Sequence, residues 1–297
     1  MPVHSSGVVV VGVDRSEVAK AALVFAAGEA DRRGGRLVVA HAGDLPRREH
    51  SERKVEPFGE FLSREAISTV AAVAPHVDCR VEMRQADASD LLVELSIGAD
   101  MLVVGTHRTG RLRGWVLGSV SQRVAAHARC PVVTISGTPT HEVGPVLLGA
   151  SASPGGLAAA RFACEEARVR GAEVRDVRAI RTEDWAVAGP GYATVMSYDA
   201  LQHAAQTDLN KVLGMAEQSY PEVSIVGEVA EADPFSALLN ASHHAAMLVI
   251  GSRRGETSPL PHLGPVAAWL LHQAQCPLAV VGHPSEDPPS RYAPNPS

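Results

Sequence analysis

Met101-Leu-Val-Val-Gly-Thr-His-Arg-Thr-Gly-Arg-Leu-Arg-Gly-Trp-Val-Leu-Gly-Ser-Val120 decides how the rest of the chain is read. An apolar run ends at Gly105, a basic glycine-containing loop follows, and Gly118-Ser119 opens a helix. Strand, loop and helix start together make an anion site, because the first N–H groups of a helix have no partners inside it. The frame returns as Met247-Leu-Val-Ile-Gly-Ser-Arg-Arg-Gly255, with Gly264-Pro265 opening the next helix. Gly105 and Gly251, Gly118 and Gly264, and Cys130 and Cys276 are each separated by 146 positions. Three landmarks at one offset mark a tandem duplication.

Outward from that stretch, β-branched runs alternate with helical periodicity. Val8–Val13 reads as a buried strand. Ser16 caps a helix from Glu17 whose face is Ala19, Ala22, Leu23, Ala26, Ala27 and Ala30, and Gly34-Gly35 stops it. Strands at 37–40, 79–83, 101–104 and 131–135 alternate with helices at 58–74, 88–97 and 119–128. The order repeats, with strands at 146–150, 173–180, 223–229, 247–250 and 278–281. Between them lie helices at 154–171, 199–218 and 234–244 and the one opened by Gly264-Pro265. The expected fold is α/β: two tandem five-stranded, mainly parallel sheets with helices on both faces, Rossmann-like. The expected boundaries are 1–136 and 145–282, joined by a linker at 137–144 and followed by a disordered Pro/Ser-rich tail at 283–297.

Composition narrows the function classes. Hydrophobic residues are 45% of the chain and charged residues 20%, which suits globular domains with real cores. A net charge of −6, with no nucleic-acid-reading motif, argues against a dedicated nucleic-acid binder. The apolar run at Val8–Val13 is too short for a signal or membrane helix and lacks a basic segment before it. No membrane partner and a cytoplasmic location are expected. The four cysteines are widely spaced and fit neither a disulfide framework nor a metal site. Cys130 and Cys276 read as buried residues ahead of the fifth strands, with redox sensing as the weaker alternative. His243-His244, late in a helix, point to different faces and make a poor metal site.

Gly105, three residues to Arg108, nine more residues, and then Gly118-Ser119 resemble the signature of the universal stress protein family, whose usual form is Gly-x-x-Gly, nine residues, Gly-Ser/Thr. Val9-Val-Val-Gly-Val-Asp-Arg-Ser16 and Ala128-Arg-Cys-Pro-Val-Val133 agree with it, and the resemblance covers both halves. It implies a nucleotide-binding α/β fold and a stress-responsive regulatory protein. The cofactor it implies is ATP, with or without Mg, held by the N-terminal lobe in preference to the C-terminal one. Carried over by position, the binding residues are Gly12, Asp14, Ala42, Gly105, Arg108, Gly118, Ser119 and Val120. Asp14 would meet the adenosine, and the Ala42 backbone the adenine. The signature loop and its Gly-Ser would meet ribose and phosphates. In the family the fifth strands pair antiparallel across a dimer. In a tandem chain the same pairing is expected between the two lobes, with a homodimer as a further association.

The residues agree with that assignment except at Arg108, which stands where the family has its second glycine. A positive φ there would cost a non-glycine residue on the order of 1 kcal/mol. Alternatively, Gly110 shifts the turn and the guanidinium replaces a backbone contact. The C-terminal lobe departs further: Ser151 replaces Asp14, Arg254 the second glycine, and Pro265 replaces Ser119 without its N–H or hydroxyl. A nucleotide-free interaction module with degenerate sites is therefore the competing reading. A slow ATPase ranks last, since no base or carboxylate cluster accompanies Asp14, and no catalytic role is expected.

Overall fold

The computed structural model describes residues 7–43, 58–106, 119–137, 143–149, 151–180, 198–252 and 263–282. The first half comprises β1 (Val8–Gly12), α1 (Glu17–Arg32), β2 (Arg36–Ala42), α2 (Phe58–Val73), β3 (Asp78–Arg84), α3 (Ala88–Leu95), β4 (Met101–Gly105), α4 (Ser119–His127) and β5 (Val132–Ile135). The second comprises β6 (Val146–Gly149), α5 (Pro154–Arg170), β7 (Val174–Ala179), α6 (Tyr198–Ser219), β8 (Ile225–Ala230), α7 (Pro234–Ser242), β9 (Met247–Gly251), α8 (Pro265–Gln273) and β10 (Leu278–Val281). The α/β class read from the sequence is the class observed.

Ten strands form one sheet in the order β3-β2-β1-β4-β5-β10-β9-β6-β7-β8. Within each half every pairing is parallel. The β5–β10 pairing is antiparallel, with Ala279 opposite Val133. Three side chains of the first half bond to second-half carbonyls at this seam: Thr134 Oγ1 to Leu278 at 3.3 Å, Thr106 Oγ1 to Leu271 at 3.4 Å and Ser136 Oγ to Ala274 at 3.1 Å. Each buried or half-buried hydroxyl thus has an acceptor where an unpaired one would be costly. The fifth strands are therefore central, and the free edges are β3 and β8. Alternating charge on β3 (Asp78, Arg80, Glu82, Arg84) discourages further strand addition at one of them.

Helices α1, α2, α5 and α6 share one core on one face, running through Val9, Val103, Val249 and Ala279 without a break between the halves. The opposite face holds two cores, one under α3 and α4 and one under α7 and α8, and Leu263 packs against both. The repeat extends to single bonds. Ser96 Oγ joins the Val93 carbonyl to the Arg129 N–H, and Ser242 Oγ joins the Leu239 carbonyl to the Gln275 N–H. Several element ends differ from expectation by one or two residues. Strand β2 runs on to Ala42, and α7 stops at Ser242, so His243 is its C-cap and His244 lies beyond the helix.

Helices α1 and α5 carry a reciprocal charge cluster across the internal two-fold. Arg33 bonds to Glu166 and Arg170 to Glu29, each pair joining the two halves. Within each helix, Arg33 lies 3.8 Å from Glu29 and Arg170 lies 3.3 Å from Glu166. Both carboxylates are fully buried. Removing one partner leaves a buried charge uncompensated, so Arg170→Ala is expected to cost about 3–5 kcal/mol in urea unfolding. Burial pushes the Glu166 carboxyl up from 4.5 to about 7, helped by the Glu29 charge and opposed by Arg33 and Arg170. The folded state then holds a proton that the unfolded chain gives up, so this carboxyl's contribution to stability is lost as pH rises from about 4.5 through about 7. Glu166→Gln is expected to flatten the pH profile of the unfolding free energy across that window.

Candidate functional site

Strand β1 lies between β2 and β4 and runs parallel to both, so three carboxyl ends meet at one edge, the usual ligand edge of an open α/β sheet. Asp14 follows β1 and is exposed. Its Oδ1 accepts from the Ser16 N–H at 2.8 Å and from the Ser16 hydroxyl. Ser16 Oγ in turn caps α1 by accepting from the Ala19 N–H at 3.2 Å. The carboxylate is thus fixed through one oxygen, and Oδ2 has no hydrogen bond among the described residues. An oriented acceptor facing water can take a hydroxyl donor.

The ladder between β1 and β2 ends with the Val13 N–H donating to the Ala40 carbonyl at 2.9 Å. The next acceptor, the Val13 carbonyl, meets His41 Nδ1 at 2.9 Å, so this ring nitrogen carries the proton. The Gly43 N–H points to β3, where it bonds to the Arg84 carbonyl at 3.0 Å. Alternation along β2 therefore turns the Ala42 N–H and C=O toward the β1 side, beyond the last rung. Nothing in the sequence pattern marks His41 for this task. A histidine ending a strand acquires it only through the register that brings Val13 alongside.

Of the residues expected at the site, Gly12, Asp14, Ala42 and Gly105 gather at this edge. Arg108, Gly110 and Gly118 lie outside the described residues, as do the side chain of Ser119, the tail 283–297 and the polar stretches at 44–57 and 181–197. Ser119 begins α4, and Val120 packs against the core beneath α3 and α4. A cavity of about 440 Å³ opens between α1 and α2 on the flank of Asp14, lined by Val13, Lys20, Leu23, Leu62 and Glu65 among others. It shares Asp14 with the strand-end site but not Ala42 or Gly105. Among the described residues no group of three or more His, Cys, Asp or Glu could hold a metal ion. Burial pushes the Cys276 thiol up to about 12, which leaves too little thiolate for redox sensing.

The fold and strand-end geometry define a Rossmann-like α/β protein, duplicated in tandem. The model of the universal stress protein family matches residues 6–136 and again 142–282, and the chain belongs to that family. One universal stress protein of Mycobacterium tuberculosis is 29% identical to it, over 93% of this chain and 97% of that protein. Another from the same organism is 30% identical, over 92% and 96%. In architecture the chain is similar to a universal stress protein from Archaeoglobus fulgidus, with a TM-score of 0.66 at 16% identity, over 94% of this chain and 99% of that one. No described helix is long and apolar enough to cross a membrane.

Packing alone explains why the site glycine Gly105 lacks a side chain. A Cβ on Gly105 would come within 2.9 Å of the Val18 backbone carbonyl carbon, because α1 crosses the end of β4 in direct contact. In the second half a Cβ on Gly251 would meet the Gly155 carbonyl oxygen at 2.9 Å. Gly12 and Gly149 differ, because a Cβ there would meet only the side-chain tips of Leu92 and Leu238. Backbone cannot swing aside as a side-chain tip can. Gly105→Ala and Gly251→Ala are each expected to lower stability by about 1–3 kcal/mol, read as a drop in melting temperature whether or not nucleotide is present.

Proposed function

We propose that the N-terminal lobe binds ATP and that the protein acts as a nucleotide-responsive regulator rather than a catalyst. The observation that carries this reading is Asp14. Its carboxylate is anchored to Ser16 through one oxygen and open at the other, at the meeting point of three strand ends. A ribose hydroxyl is a matching donor for Oδ2. The Ala42 N–H and C=O, turned toward the same edge, match the donor–acceptor edge of adenine. The signature loop at 105–119 would then carry the phosphates, through the helix N-terminus and its arginines. In this reading the protein is cytoplasmic and needs no metal beyond any Mg that accompanies the nucleotide. Two chains associating as a homodimer are a further part of it.

One specific observation favours the competing nucleotide-free reading: Gly105 is required by packing against the Val18 backbone whether or not a ligand binds. Calorimetric titration of the full-length protein with ATP, together with chromatography of small molecules released on denaturation, separates the two. One ATP per chain is expected. Asp14→Asn keeps the acceptor used by Ser16 but replaces Oδ2 with an amide. The lost charge-assisted hydrogen bond is worth about 1.5–3 kcal/mol, so affinity is expected to fall roughly ten- to hundredfold. Ser151→Ala should leave it unchanged. The absence of both binding heat and thermal shift with ATP would refute nucleotide binding, and full affinity in Asp14→Asn would refute the assigned site.

A further inference from the structure

Arginine is rarely taken out of water unless its N–H groups find acceptors. Arg178, on β7, is 8% exposed. Its one hydrogen bond among the described residues is a long one, from Nη2 to Asp176 Oδ2 at 3.4 Å. Its Nε is buried with no hydrogen-bond partner among the described residues. Strand alternation puts Arg178 on the face shared by Val174 and Asp176, and Val174 belongs to the core beneath α5 and α6. Arg178 is also the penultimate residue of β7, at the carboxyl edge of a parallel sheet.

The duplication shows how unusual this is. Early in each half the repeat offset is 137 positions, pairing Gly12 with Gly149, Asp14 with Ser151, His41 with Arg178 and Ala42 with Ala179. In the first half His41 uses its donor on the Val13 carbonyl. In the second half the corresponding side chain is a permanent cation with a donor left over. Asp14 has no acidic counterpart at the β6 end, although the buried Asp176 carboxylate remains beside Arg178. Ser151 stands in place of Asp14, its hydroxyl 2.9 Å from that of Ser153.

We propose that the C-terminal lobe binds a small oxyanion-bearing ligand, a phosphate or a carboxylate, at Arg178. The Nε donates to the ligand oxygen while Asp176 holds Nη2 and fixes the guanidinium plane. The two lobes then differ in kind: the first presents an acceptor, Asp14, at its strand ends, and the second presents a donor.

The test titrates the full-length protein with inorganic phosphate, and separately with acetate, at constant ionic strength balanced with sodium chloride. Melting temperature and binding heat are read. A saturable rise in melting temperature with phosphate assigns a phosphate-type ligand, and a rise with acetate alone assigns a carboxylate. Asp176→Asn/Arg178→Met removes both charges, so that no carboxylate is stranded, and is expected to abolish the rise. Arg178→Lys keeps the charge but loses the Nε donor, and is expected to weaken apparent affinity at least tenfold. Loss of the rise in the double variant separates this site from phosphate held by the signature loop of the first lobe. The proposal is overturned if neither anion gives a saturable effect beyond chloride, if the double variant keeps the effect, or if Arg178→Lys binds as tightly as the parent.

Discussion

The antiparallel contact between β5 and β10 is the constraint on which the remaining architecture depends. Each half is a parallel sheet that ends in a short, wholly buried strand, and its outer row of backbone N–H and C=O groups needs a partner. Pairing the two strands answers both needs at once and joins the halves into one sheet. The two-fold relation it imposes brings α1 and α5 close enough for Arg33 to reach Glu166 and for Arg170 to reach Glu29. A slip of β5 along β10 would part those four groups and leave buried charge unpaired. The cluster therefore disfavours other registers even though buried ion pairs add little net stability.

Given that frame, divergence between the halves is confined to places the packing does not dictate. Gly12 and Gly149 accommodate equivalent leucines, and Gly105 and Gly251 accommodate equivalent helix starts. Gly105 and Gly251, set against backbone, cannot vary without strain. Asp14 and Ser151, or His41 and Arg178, stand at strand ends where the fold tolerates either member of the pair. Both differences make the second edge more positive than the first.

Much of this was legible in the sequence, and the parts that were not share a physical cause. Apolar runs and helical spacing located the strands and helices, and one offset of 146 positions revealed the duplication. Only element ends moved: β2 extends to Ala42 because the ladder with β3 continues to Arg84. Glu29 and Arg33 carry no sign of burial in their local sequence pattern. Their burial comes from a second helix 137 residues away. His41 and Arg178 were invisible for the same reason, since a side chain at a strand end takes its role from the neighbouring chain. Periodicity reports what a residue does within its own element. It says nothing about contacts made across the molecule.

The family signature therefore calls for a divided reading. Val18 packs against Gly105 so closely that the glycine would be needed in a lobe that bound nothing. Its presence is evidence for the fold, and it is shared by Gly251 in a half that has lost the acidic residue and the Gly-Ser pair. Evidence for a ligand has to come from groups that the fold leaves unused. Asp14 has one oxygen without a partner among the described residues, and the Ala42 backbone has its polar atoms turned past the end of the ladder. Neither feature contributes to holding the lobe together, and an exposed, oriented acceptor beside unspent backbone groups is what a nucleoside requires.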